Sequence, residues 1–326
     1  MYISINNVVF TIKCNDKIKP YFENRLKLES SPQKLYLNNL VTVNVEVTKK
    51  VNYKDKSFID RISPKFIENG IYYEIPNYGT FEFNKFKSEI NVKYSDNFNS
   101  NNEKTFMRNI VTGTLQIVNL STLFFDVLPL HASAVKKNDY GIIILGNSTK
   151  GKSTMEYLLL NSGFDFFADD VVFLDNECFI HNNNESLVSI RNGTIELSKN
   201  LFDFNLPQKE IGEEKLFIQN VNFDPSKKLF PKILLFPEQQ PTLNHIEPYI
   251  IEKIDKSTLY VDLIKNSISS QIPSEFIQRY MLILKKLCVN VEAYRVIRTN
   301  LYDNSHCRGL LDDLLELLAE RLNSFE

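Results

Sequence analysis

The sequence predicts an α/β protein, strand-rich over roughly its first hundred residues and mixed thereafter, on three observations. Short β-branched and aromatic runs with partial period-two alternation recur before residue 100. A buried-strand signature, Gly141–Leu145, passes through a glycine-bearing turn into a helical segment. Beyond that passage, strand and helix patterns both occur to the last residue, which suits an α/β layer architecture. With 326 residues there is room for one large or two moderate domains. The division expected is residues 1–102, strand-rich, and 103–326, built around the strand–turn–helix passage.

The elements follow in order. Residues 1–17 read as two short strands, the second over Val8–Ile12, and further strands are expected at Lys34–Tyr36, Val41–Val47, Ile71–Ile75, Thr80–Phe83 and Ile90–Tyr94. The polar Asp96–Asn102 suits a connection and helix cap. Phe106, Ile110, Val111, Ile117, Val118 and Phe125 trace a helical face over Glu103–Phe125, which Gly113 weakens. His131–Val135 and Gly141–Leu145 read as paired strands around a polar turn, and Ser153–Leu160 as a helix ended near Gly163. Strands at Phe164–Phe167 and Val171–Leu174 flank the acidic pair Asp169–Asp170. Shorter ones are expected at Leu187–Ile190, Leu216–Ile218, Ile233–Phe236 and Glu292–Ile297, with helices at Ser274–Lys286 and Cys307–Asn323. In the last helix Leu310, Leu311, Leu314, Leu318 and Leu322 form one apolar face, expected to pack on its own domain.

Composition removes several classes. A net charge of −2 does not make a surface built to hold nucleic acid, and the Lys49–Lys56 run reads as a solvated hairpin. No apolar run approaches the roughly 20 residues that span a bilayer, and the first residues lack the order of a secretory signal. Cys14, Cys178, Cys288 and Cys307 have no metal-ligand spacing and read as free thiols of a reducing cytosol. His245, His306 and Cys307 have no such spacing either. The expectation is a cytoplasmic protein without nucleic-acid or membrane partners.

The chemistry begins at Gly146-Asn147-Ser148-Thr149-Lys150-Gly151-Lys152-Ser153, followed by Thr154, which fits G-x-x-x-x-G-K-[ST] in full. Glycines let the chain turn tightly so that successive amides face phosphate oxygens. The helix that follows adds its positive end at the same point. Lys152 offers a mobile cation to the outer phosphates and Ser153 a hydroxyl for Mg2+, so ATP with magnesium is the ligand expected. Asp169 and Asp170 follow a short apolar strand, where a carboxylate can hold the metal or take a proton from an attacking hydroxyl. His131 opens the strand before the loop strand. It is either a satisfied strand residue or a hydrogen-bond partner that tunes the acidic pair.

Three segments, Leu130-His131-Ala-Ser-Ala-Val135, Ile143–Ser153 and Phe167-Ala-Asp-Asp170, resemble HPr kinase/phosphorylase and its relatives. The separations match: 21 residues from His131 to Lys152 and 17 from Ser153 to Asp170. The resemblance implies an α/β fold with a P-loop kinase core of the HPr kinase and phosphoenolpyruvate carboxykinase type, joined to a strand-rich N-terminal domain. It implies that Lys152 binds the β- and γ-phosphates, that Ser153 holds magnesium and that Asp169 lies on the metal side. Asp170 would be the base that deprotonates an acceptor serine, supported by His131, and Arg191 would contribute to the site.

There are departures. Ser189 stands where the family carries a magnesium-binding glutamate, a role Glu196 could take over. The Pro-Gly-Arg-Asn segment near the family's C-terminal end is missing, which lowers a phosphorylase activity. Similarity is confined to Leu130–Glu196, about a fifth of the chain. The chain therefore resembles divergent relatives associated with modified-peptide biosynthesis, some of which phosphorylate a serine of a ribosomally made precursor peptide. The function expected is an ATP-dependent kinase acting on a serine of a peptide or small protein, with the N-terminal domain gripping that substrate. The alternatives are a nucleotide-binding sensor or scaffold without catalysis and a kinase for free serine. The elements that make HPr kinases hexamers are not identifiable, which leaves the oligomeric state open.

Overall fold

The computed structural model describes residues 1–6, 8–25, 39–48, 64–67, 69–75, 78–95, 103–146, 151–181, 187–191, 208–210, 215–219, 228–240, 249–267, 274–298 and 304–324. The expectations for Lys34–Tyr36, Asp96–Asn102, the Lys49–Lys56 run and His245 lie outside them. The described residues form a mixed α/β protein with two multi-stranded mixed sheets and six helices, none long and apolar enough to cross a membrane. The chain divides into two compact units, Met1–Pro129 with Ile268–Tyr280, and Leu130–Ser267 with Met281–Glu326.

The first unit carries β1 (Tyr2–Ile5), β2 (Val8–Cys14), helix α1 (Lys19–Arg25), β3 (Asn39–Thr48), β4 (Lys65–Ile67), β5 (Gly70–Ile75), β6 (Gly79–Asn84), β7 (Glu89–Ser95) and helix α2 (Glu103–Ser121). Its strands form one sheet in the order β1-β2-β3-β7-β6-β5-β4, with β2, β3 and β7 mutually parallel and the remaining pairs antiparallel. Alternation sets the faces. Val41, Val43 and Val45 are buried while Thr42, Asn44 and Glu46 turn the other way. On that outer face Asn44 Nδ2 donates to Asn91 Oδ1 at 3.2 Å, across a β3–β7 register that sets the two residues opposite one another.

Helix α2 covers the inner face, burying Phe106, Ile110, Val111, Ile117 and Val118 as its periodicity predicts, and it belongs to this unit rather than to the second. Gly113, expected only to weaken the helix, has a packing reason. Tyr73 and Phe81 stack at 4.7 Å between centroids, the Tyr73 hydroxyl donates to the Gly113 carbonyl, and a Cβ on Gly113 would meet Phe81 Cζ at 2.6 Å. Gly113→Ala gains about 1 kcal/mol of helix propensity but overpacks this contact by about 1–3 kcal/mol. The expected result is a lower denaturant midpoint, whereas an exposed helical glycine would give a higher one.

At the boundary a short 3-10 turn, Thr122–Phe125, leads into β8 (Leu128–Leu130). The second unit continues with β9 (Ala132–Lys137), β10 (Tyr140–Leu145), α3 (Lys152–Asn161), β11 (Asp165–Ala168), β12 (Val172–Leu174) and β13 (Ile180–His181). It also holds β14 (Leu187–Arg191), β15 (Gln208–Glu210), β16 (Lys215–Gln219), β17 (Lys228–Gln239), β18 (Tyr249–Lys253) and α4 (Lys256–Ser267). Then come α5 (Ser274–Asn290), which begins in the first unit, β19 (Glu292–Arg298) and α6 (Asn304–Asn323). The central order is β11-β9-β10-β17-β19-β18, with β10, β17 and β19 parallel and β9, β11 and β18 antiparallel to their neighbours. Strands β14, β16 and β15 make a separate small sheet.

The core lies between this sheet and its helices. Ile142 and Ile144 of β10, Ile233 and Leu235 of β17, and Val296 of β19 join Met155 and Leu159 of α3 and Leu310, Leu314, Leu318 and Leu322 of α6. The last helix thus packs on its own unit, as its apolar face predicts, with Asp312, Asp313, Glu316 and Glu320 exposed.

Candidate functional site

Strand β10 is buried along its length because β9 and β17 flank it and α3 covers it, so Ile142–Leu145 are apolar throughout. It ends at Gly146. Asn147–Lys150 lie outside the described residues, and the chain resumes at Gly151, which caps α3 with φ +105°, a conformation that favours glycine. The first helical residue is Lys152, buried at 9 % exposure; Ser153 is half-buried and Thr154 buried.

Lys152 Nζ donates to the Gly146 carbonyl at 3.0 Å and to His131 Nε2 at 2.9 Å. A lysine ammonium can only donate, so Nε2 carries a lone pair and the imidazole proton sits on Nδ1. That nitrogen faces the Asp170 carbonyl at 2.9 Å and its carboxylate Oδ1 at 3.4 Å. A continuous chain of polar contacts therefore runs from the loop strand through Lys152 and His131 to Asp170. Burial pulls the Lys152 ammonium below its ordinary value, and the carboxylates of Asp170 and Asp169 oppose that shift.

The acidic pair divides into a buried and an open member. Asp169 is 7 % exposed; its Oδ1 accepts from Ser133 Oγ at 3.0 Å and from the Asp170 amide at 2.8 Å. Strand β11 lies antiparallel to β9 with a register shift between Phe166 and Ala168, which brings the turn after Ala168 beside Ser133 and His131. Asp170 takes a left-handed conformation, φ +65°, that aspartate tolerates better than most residues. Its side chain is 53 % exposed, so the carboxylate can meet an incoming group. One partly strained residue at the centre of a polar cluster is a frequent mark of a working site.

Glu156, one turn into α3, is fully buried, and neither of its carboxyl oxygens makes a hydrogen bond of good geometry. Burial first and the charge of Asp169 second push this carboxyl well above the usual range, with Ser133 and Lys152 acting the other way. Glu156 thus lies buried behind the acidic pair, with its carboxyl pushed towards the neutral form. The sequence signal was a lone glutamate in the helix stretch Met155–Leu159, otherwise uncharged. Ser133 was visible in the segment around His131 but carried no assigned role.

Arg298 was also missed. It ends β19, is 4 % exposed, and its guanidinium packs on Gly151, where a Cβ would collide with Nη2. Arg191 and Ser189 lie on β14, whose backbone runs beside α3; Glu196 lies outside the described residues. His131, Ser133, Lys152, Glu156, Asp169, Asp170 and Arg298 are therefore gathered by β9, α3 and β19 and by the β8–β9 and β11–β12 connections of one unit. Asp169 and Ser153 could offer hard oxygen donors, although no group of three or more histidine, cysteine or acidic residues suited to a metal occurs among the described residues. The arrangement can bind an anion beside a helix N-terminus, hold one carboxylate out of water and present another to solvent. No family model matches the chain, and no curated protein matches it either.

Proposed function

We propose that this chain is an ATP-dependent kinase that transfers the γ-phosphate to a serine hydroxyl of a peptide or small protein. The observation that carries the reading is the chain of contacts from Gly146 through Lys152 and His131 to Asp170. It joins the phosphate-loop lysine to a candidate base, which a fortuitous strand–turn–helix would not require.

The residues fit the roles. Two of the three Lys152 donors are held by Gly146 and His131, which leaves a third to serve the outer phosphates of a bound nucleotide. The head of α3 and the Gly151 turn suit a phosphate. A magnesium ion, when bound, would neutralise charge on the outer phosphates, with Ser153 and Asp169 the residues to hold it. Asp170 accepts the proton of the attacking hydroxyl. As the new oxygen–phosphorus bond forms, the bond from the γ-phosphorus to the β-bridging oxygen breaks and ADP leaves. His131 holds Asp170 through Nδ1, and Glu156 lies buried behind the pair. The first unit would grip the substrate peptide, which could add as a further strand to its sheet.

The test is transfer from γ-labelled ATP with magnesium, offering serine-containing precursor peptides, HPr and free serine. Label on a peptide or protein serine is the expected result. Label on free serine alone would move the enzyme to small-molecule metabolism. Tight ATP binding with no acceptor labelled, water included, would favour a sensor or scaffold.

A further inference from the structure

We propose that Arg298 is a second phosphate-binding cation of this site, acting on the phosphate tail together with Lys152. The proposal rests on the nucleotide reading above and adds to it a residue outside the loop motif.

The topology brings Arg298 there. Strands β10, β17 and β19 are parallel, so their carboxyl ends open on one edge, where open α/β sheets take their ligands. Gly146 follows the end of β10, Gln239 ends β17 and Arg298 ends β19, where its carbonyl accepts from the Gln240 amide at 3.0 Å. Strand β19 is two strands from β10, roughly 10 Å away, and the long arginine arm crosses that gap to lie on Gly151. Glycine is favoured there by its φ of +105°, and a Cβ at that position would displace the guanidinium.

The electrostatics name the ligand class. The head of α3 is already positive, by about half a charge, and Lys152 follows Gly151 directly. A guanidinium cannot lose its proton in a protein, and this one is buried at 4 % exposure. Arg298 on Gly151 and the neighbouring Lys152 therefore bring two side-chain cations to the head of α3, with Asp169 and Asp170 beside the lysine. A small anion such as a carboxylate needs no such concentration of positive charge, whereas the tail of a nucleoside triphosphate does. The planar fork of arginine also matches phosphate oxygens in pairs, which the lysine cannot do.

The experiment compares ATP and inorganic triphosphate binding, by calorimetry, to the parent protein and to Arg298→Met and Arg298→Lys. Arg298→Met is expected to weaken both ligands by roughly 10–100-fold. Arg298→Lys should restore part of that loss and leave melting without ligand unchanged. Adenosine, which has no phosphate, should bind all three alike within about twofold, a difference that a merely structural arginine would not produce. If Arg298→Met binds ATP and triphosphate as the parent does, the proposal is overturned and the nucleotide reading stands. Should Arg298→Met not fold, Arg298→Lys with parental affinity for both phosphates overturns it equally. If the parent binds neither ligand, the nucleotide reading fails and takes this proposal with it.

Discussion

Asp170→Asn is expected to lower phosphate transfer roughly 10²–10⁴-fold while ATP affinity stays within about twofold of the parent. Asparagine tolerates the left-handed backbone that Asp170 adopts at φ +65°. It also keeps an oxygen to accept from His131 Nδ1, so the turn and the histidine should hold their places. What it lacks is the basicity to take the serine proton. Single-turnover transfer of labelled phosphate, beside equilibrium ATP binding, separates the two effects. Full transfer by this variant would defeat the mechanism, and loss of ATP binding would make Asp170 a structural or phosphate-side residue instead.

Lys152→Ala should reduce both quantities: ATP affinity by roughly 10–100-fold, from the lost charge-assisted contact, and transfer among bound complexes by a further 10²–10³-fold or so. The lysine is nine-tenths buried beside Asp169 and Asp170, and burial lowers its pKa, so its charge is costly to hold without a compensating role. A structural lysine would show its loss as a lower melting temperature with ATP affinity intact. The expected pattern is the reverse, melting close to the parent without nucleotide and a much smaller shift when ATP is added.

Much of this site was legible because its parts are close in sequence. The β9–β10 hairpin fixes where His131 lies relative to the loop, and the single helix α3 fixes where Asp169 and Asp170 return, so residue separations alone carried that geometry. Arg298 was not legible. Its position depends on β19 lying two strands from β10, a tertiary pairing that no local pattern encodes. Glu156 was hidden for another reason: an acidic residue on a helix reads as solvent-facing until its turn is known to face Asp169.

The same contrast holds for the fold. Strand β3 announced itself through Val41, Val43 and Val45, whereas α4 buries chiefly Leu259 and Leu263 among polar neighbours and left too faint a period. In β17 the expected strand was only Ile233–Phe236, which lies between Pro231 and Pro237. The strand runs on to Lys228–Gln239. Pro231 coincides with a register shift against Gly141 and Ile142, and Pro237 lies beyond the stretch paired with β10.

The shared helix α5 bears on how the chain can be made. Ile268–Tyr280 belong to the first unit, although β17, β18 and α4 precede them in synthesis. On the ribosome the seven-stranded sheet emerges whole and still lacks Phe276, whose ring packs at 4.8 Å against Phe124 and at 6.0 Å against Phe66. The second unit in turn waits for β19 and α6, which leave last. The first unit therefore cannot complete its packing before much of the second has been made, unlike domains that finish one after another from the N-terminus. An expression fragment cut after Pro129 would carry every described strand of its sheet and still lack Phe276, the ring that packs on Phe66 and Phe124.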